Sequence, residues 1–146
     1  MLIKLISYGH RYYEEVGEQP PYHDFLFSVR DLKNPYWVPE LKEFNGLDQE
    51  IIEYFVRDDH TQKRLEDINE MIFAFIKDFA ANQNRKPEDK QVYAFKCTGG
   101  KHRSVYFAEQ IFTRLKKLIA ENDLSEKLNI EVEHVDLPRY LDKVAK

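Results

Sequence analysis

The 146-residue chain has one cysteine, which cannot close a disulfide within the chain. Its first residues, MLIKLISYGH, lack the long apolar stretch of a secretory leader, and no apolar run approaches the roughly 20 residues that cross a bilayer. No membrane association is expected, and the default location is a reducing cytoplasm. Basic charge is in deficit too: 22 Lys and Arg stand against 26 Asp and Glu, a net charge of −4, with pI near 5.8. A surface that clings everywhere to nucleic acid or anionic lipid is therefore excluded, because such binding is driven by counterions released from many neutralised phosphates. A local basic pocket is not excluded. The five histidines never fall at HxxxH or HExxH spacing, so neither a metal nor another cofactor is expected. Internal repeats, low-complexity tracts and linkers are missing as well. With 42% hydrophobic and 14% aromatic residues, a chain of this length suits one core and hardly a second, so residues 1–146 are expected to form a single domain.

What is present alternates strand with helix. Residues Leu2 to Tyr8 read as a strand that Gly9 ends, and 10 to 24 as a loop. "FLFSVRDL" reads as a second strand, followed by an aromatic connection in which Asn34-Pro35 and Val38-Pro39 prevent a regular element. A short helix spans Leu47 to Val56. Leu65, Ile68, Ile72, Phe75, Ile76 and Phe79 recur at spacings of three and four, the stripe of a helix packed on a sheet. "VYAFKC" is apolar on both faces, as a central parallel strand is. A helix opens near Ser104, and "NIEVEHVDL" reads as the last strand. The expected architecture is an α/β layered domain with a mixed or mostly parallel sheet of about four strands flanked by helices. In such sheets ligands sit beyond the carboxyl ends of the strands.

The junction "CTGGKHRS", Cys97 to Ser104, therefore carries the chemistry. A helix start offers unpaired N–H groups and about half a positive charge. Gly99 and Gly100 permit positive φ and let successive N–H groups face one point. Lys101, His102 and Arg103 add donors, Arg103 able to grip two phosphate oxygens, while Thr98 and Ser104 add hydroxyls. Cations at a helix N-terminus are disfavoured unless an anion joins them, so the loop is read as a phosphate cradle. It is not a Walker A loop, because GxxxxGK[ST] fails here. His10 and Arg11 follow the first strand and are assigned to the same pocket. Arg30 either reaches that pocket or pairs with Asp31, and His134 either reaches it or packs in the core. His23 and His60 are read as solvated, and Tyr36 and Trp37 as caps on the core, with a base-stacking role as the alternative.

Two patterns fit the loop. One, Cys-x5-Arg-Ser, resembles the phosphate loop of cysteine-dependent phosphatases, in which Cys97 would attack phosphorus, Arg103 would hold its oxygens and Asp136 would be a general acid. Lys96, however, stands where many such enzymes have histidine. The other is longer. "CTGGKHRSVYFAEQ" resembles the signature of the RapZ C-terminal domain family, and the likeness extends to Ser7-Tyr8-Gly9, "SVRDLKNPYW", "VPEL", "NGLD" and "HVDL", from about Ile6 to Leu137. The resemblance implies a non-catalytic sensor or adapter domain that binds a phosphorylated amino sugar in its loop. In the full family protein it also implies contact with small regulatory RNA and an endoribonuclease.

Three departures limit what carries over. The family's nucleotide-binding N-terminal half has no counterpart here, so no ATPase activity is expected. The histidine near the first strand is displaced to His10. Glu133 and Val135 stand where arginines flank the family's last-strand histidine, and the basic tail is reduced to Arg139, Lys143 and Lys146, so RNA binding by this chain alone is expected to be weak. Homo-oligomerisation is compatible with the sequence and not specified by it.

Overall fold

A computed structural model describes residues 1–144, with side chains described as far as Leu141. The Lys143 side chain and Lys146, two of the three cations of the basic tail, lie outside the described residues. Alternation along LIKLISYG builds the first strand, β1 (Leu2–Gly9). Ile3 and Leu5 turn to one face and Ile6 and Tyr8 to the other, and all four are buried, so β1 is an interior strand. It pairs in parallel with β3 (Lys90–Cys97), from Leu2 opposite Lys90 to Gly9 opposite Cys97. On its other side it pairs in parallel with β4 (Asn129–His134). The short strand β2 (Phe25–Ser28) pairs with β3, giving the order β2-β3-β1-β4 with every pairing parallel. All four carboxyl ends thus lie along one edge.

Three helices cover one face. In α1 (Gln49–Val56), α2 (Asp59–Ala81) and α3 (Arg103–Glu121) the apolar stripes join Ile3, Leu5, Tyr93 and Phe95 in one core. Asp58 fixes the start of α2, accepting from the Thr61 N–H at 3.2 Å and its hydroxyl at 2.6 Å. The second face has Ile6, Tyr8, Val92 and Ala94, and the 10–24 loop covers it. Tyr13 sits edge-on to Tyr8 at 5.7 Å and His23 stacks on it at 6.4 Å. His23 is thus partly buried where solvation was expected, while His60 is exposed on the first turn of α2.

Several boundaries differ from the sequence expectation: the first helix begins at Gln49 rather than Leu47, and Pro35–Trp37 forms a 3-10 turn in the connection expected to hold no regular element, because proline is well tolerated at a helix start. The second strand stops at Ser28, because the chain turns at Val29 so that the carbonyls of Arg30 and Leu32 face Arg103. The last strand stops at His134, and Pro138–Val144 forms a short helix, α4. Asp136 causes the break by turning inward, fully buried, to accept the Gly9 N–H at 2.8 Å. His134 takes the structural alternative: its ring lies between the Ser7 hydroxyl at 2.8 Å and the Glu109 carboxylate at 2.9 Å. No helix among the described residues is long and apolar enough to cross a membrane.

Candidate functional site

The end of β3 runs through the glycine pair into α3, and the strand edge places a second segment against it. A Cβ on Gly9 would lie 2.7 Å from the Gly99 carbonyl carbon, so the β1 and β3 ends touch backbone to backbone. Of the two loop glycines, only Gly100 has positive φ, at +68°. Its N–H turns inward to Cys97 Sγ at 3.3 Å rather than joining Gly99 toward a common external point. A Cβ on Gly99 would come within 2.9 Å of the Tyr140 hydroxyl, which would have to shift to admit it.

Arg103 is 4% exposed. Its Nη1 donates to the carbonyls of Arg30 and of Leu32, the latter at 3.1 Å, and its Nη2 reaches Thr98 Oγ1 only at 3.4 Å. Its Nε has no hydrogen-bond partner among the described residues. No carboxylate bonds this guanidinium among the described residues: Asp31, the nearby candidate, is engaged by Arg64 at 2.8 Å. Burial accordingly lowers the Arg103 pKa, with Arg30 acting in the same direction and Cys97 against it. His102 is 5% exposed, and its Nε2 also has no hydrogen-bond partner among the described residues. Burial and the Lys101 charge push its pKa down to about 4, so the ring is neutral.

A cavity of about 990 Å³ opens beside the loop. Cys97, Thr98, Gly99, Lys101, His102 and Arg103 line one side, and Arg11 reaches in from the end of β1. Residues of the 34–48 connection, with Tyr140 and Leu141 of α4, complete the lining. Lys101 ties the loop to this connection, with its Nζ donating to the Lys42 carbonyl at 2.9 Å and its own carbonyl accepting from the Gly46 N–H at 2.9 Å. Tyr140 donates to the Gly99 carbonyl at 2.6 Å and accepts from Arg11 at 2.8 Å.

Other expected residues lie apart from the cavity wall. Gly100 and Ser104 sit behind it; the Ser104 hydroxyl meets Cys97 Sγ at 3.1 Å. His10 turns to Glu14 at 2.8 Å. Arg30 neither lines the cavity nor pairs with Asp31, but its Nε reaches Thr98 Oγ1 at 3.4 Å. Asp136 is not a free acid at the cavity, because Gly9, Tyr13 and Arg139 all donate to it, Arg139 at 2.7 Å. Trp37 caps no core; it is 76% exposed. Sequence reasoning passed over Tyr140 and Lys42, and for Tyr36 and Trp37 it left stacking as the alternative to capping the core. The proline-bracketed aromatics of "KNPYWVPEL" were the available signal.

Fold and site together define a parallel α/β domain whose strand, glycine loop and helix junction opens into a cavity lined by Arg11, Lys42, Lys101 and Arg103 and also by Glu43 and Asp48. The chain belongs to the RapZ C-terminal domain family, whose profile matches residues 1–138. It is 38% identical over 117 residues to a nucleotide-binding protein of Saccharophagus degradans, covering 80% of this chain and 37% of that protein. Nucleotide-binding proteins of Lactobacillus acidophilus and Clostridium beijerinckii are each 30% identical, over 97% and 99% of this chain and 42% and 43% of theirs. The chain thus spans less than half the length of these relatives.

Proposed function

We propose that this domain is a sensor or adapter of the cytoplasm that binds a phosphate-bearing small molecule, in the class of amino-sugar phosphates, at the Thr98 to Arg103 loop. The observation that carries the reading is the Arg103 side chain. A cation nine-tenths buried without a bonded carboxylate is costly, and here the unpartnered Nε and loosely held Nη2 share one edge of the guanidinium, the edge that forks onto two anionic oxygens. Nε is enclosed in the free protein, so a small shift of the side chain toward the cavity brings that edge to a phosphate, which supplies the missing counter-charge. Lys101 and Arg11 on the cavity wall add charge for a dianion. Contact with a structured RNA or an RNase is the adapter half of the proposal, and for this chain alone it is weak and steeply salt-dependent, because few cations line up for a long backbone. Calorimetry with inorganic phosphate and a hexosamine 6-phosphate at low salt tests the binding half; no heat from either would refute it.

One observation favours a second reading. Cys97 Sγ receives the Gly100 N–H and contacts the Ser104 hydroxyl, contacts that would stabilise a thiolate nucleophile. Against it, Asp136 is committed to three donors, and Arg103 Nη1 is spent on carbonyls. Hydrolysis of an aryl phosphate by the wild-type chain would favour the phosphatase reading.

A further inference from the structure

A phosphate group occupies a small part of a 990 Å³ cavity, and the lining contributed by the 34–48 connection is built of different material. Pro35–Trp37 forms a single 3-10 turn there, its start fixed by Asn34 Oδ1 accepting the Tyr36 N–H at 3.1 Å. Pro35 is buried, Tyr36 packs edge to face with Trp37 at 4.9 Å, and Lys42 lies over the Tyr36 ring at 4.7 Å. The turn is thus held rigidly while the only tryptophan of the chain stands 76% exposed at the cavity. The Lys101 bond to the Lys42 carbonyl fixes this wall relative to the loop. Asn34 and Asn45 also line the cavity. Their side-chain oxygens already accept backbone N–H groups, from Tyr36 and from Leu47 at 2.8 Å, so the donors left to them are their NH2 groups.

We infer that Trp37 is the stacking platform for the ring of a phosphorylated cyclic ligand whose phosphate arm reaches the Thr98 to Arg103 loop, with Asn34 and Asn45 donating to ring oxygens or nitrogens. The inference rests on the loop being the phosphate site, and adds that the cavity selects ring-bearing over acyclic phosphates. An indole face holds a flat or weakly polar ring well, and a preformed aromatic wall binds it at little cost in ordering. Sugar phosphates and nucleoside monophosphates share this chemistry.

The test uses Trp37 fluorescence and calorimetry with four probes: inorganic phosphate, glycerol 3-phosphate, glucose 6-phosphate and adenosine monophosphate. The expected result is that a ring-bearing probe binds about tenfold more tightly than glycerol 3-phosphate, the worth of one stacking contact, and changes the Trp37 emission. A preference for glucose 6-phosphate identifies the ring as a sugar, and one for adenosine monophosphate as a base. In Trp37→Ala, checked for fold by circular dichroism, the ring advantage should vanish in calorimetry with glycerol 3-phosphate affinity retained, and Trp37→Phe should restore it. Equal affinities for cyclic and acyclic phosphates, or a ring advantage that survives Trp37→Ala, would overturn the inference alone. No binding of any probe, inorganic phosphate included, would overturn the loop reading and this inference with it.

Discussion

Replacing Arg103 by lysine keeps a positive charge in the loop and removes the fork. Two effects follow, and they are separable. In the ligand complex, the hydrogen bonds from guanidinium to phosphate are lost; bonds to a charged group contribute about 1.5–3 kcal/mol, a factor of roughly 10 to 150 in affinity. In the free protein, the carbonyls of Arg30 and Leu32 lose their Nη1 donor, and each carbonyl left unsatisfied costs about 1–3 kcal/mol, offset in part by relief of the buried cation. A net loss of about 2 kcal/mol lowers Tm by roughly 4 to 8 °C in a chain of this size. Calorimetry with inorganic phosphate at 15 °C, where the variant remains folded, reads the first effect. Circular dichroism melts with and without phosphate read both, since saturating ligand at 100 times Kd raises wild-type stability by about 2.7 kcal/mol. Wild-type phosphate affinity in Arg103→Lys alongside a lowered Tm would refute the reasoning, leaving Arg103 as a tie between α3 and the turn after β2.

Three further outcomes are expected. Gly100→Ala places a Cβ 2.7 Å from the Gly9 backbone N at a φ of +68°, so strain of about 1–2 kcal/mol plus the clash should lower Tm by at least 5 °C; an unchanged melt would contradict the packing described. The unfolded chain protonates His102 near pH 6.5 while the folded protein resists down to about 4, so stability holds above pH 6.5 and falls as pH drops through that window, by about 2 kcal/mol at pH 5. His102→Asn should flatten this slope, and parallel pH profiles for the two proteins would remove His102 as its cause. Cys97→Ser should keep inorganic phosphate affinity within a fewfold of wild type, with no aryl phosphatase activity in either protein; turnover present in wild type and lost in the variant would reverse the functional reading.

The sheet and its helices were legible because their signals are local. The apolar run of β3 and the three-and-four spacing of α2 need no distant partner to be read, and the glycine pair between β3 and α3 marked the loop. What was not legible depends on contacts across the sheet. Asp136 looked like an ordinary strand-end carboxylate, but the β1 end that donates to it lies 127 residues away in sequence. Arg103 looked like a pure ligand clamp, yet its Nη1 serves carbonyls more than 70 residues earlier, 73 for Arg30 and 71 for Leu32. Arg11 reaches the cavity and its neighbour His10 does not, because that strand end turns directly into a 3-10 turn over His10–Tyr12 and Glu14 captures the imidazole. The aromatic connection reads as a cap on the core because large aromatic side chains are mostly buried; here Pro35 alone is buried and the rings stand at the cavity.

The central claim is that the Thr98 to Arg103 loop holds a phosphate on the free edge of Arg103. A crystal structure of the chain soaked in phosphate tests it most directly. The account predicts tetrahedral density within about 3 Å of Arg103 Nε and Nη2, with Lys101 or Arg11 turned toward it. A loop free of density at saturating phosphate, with the Arg103 side chain still enclosed by protein, would contradict it.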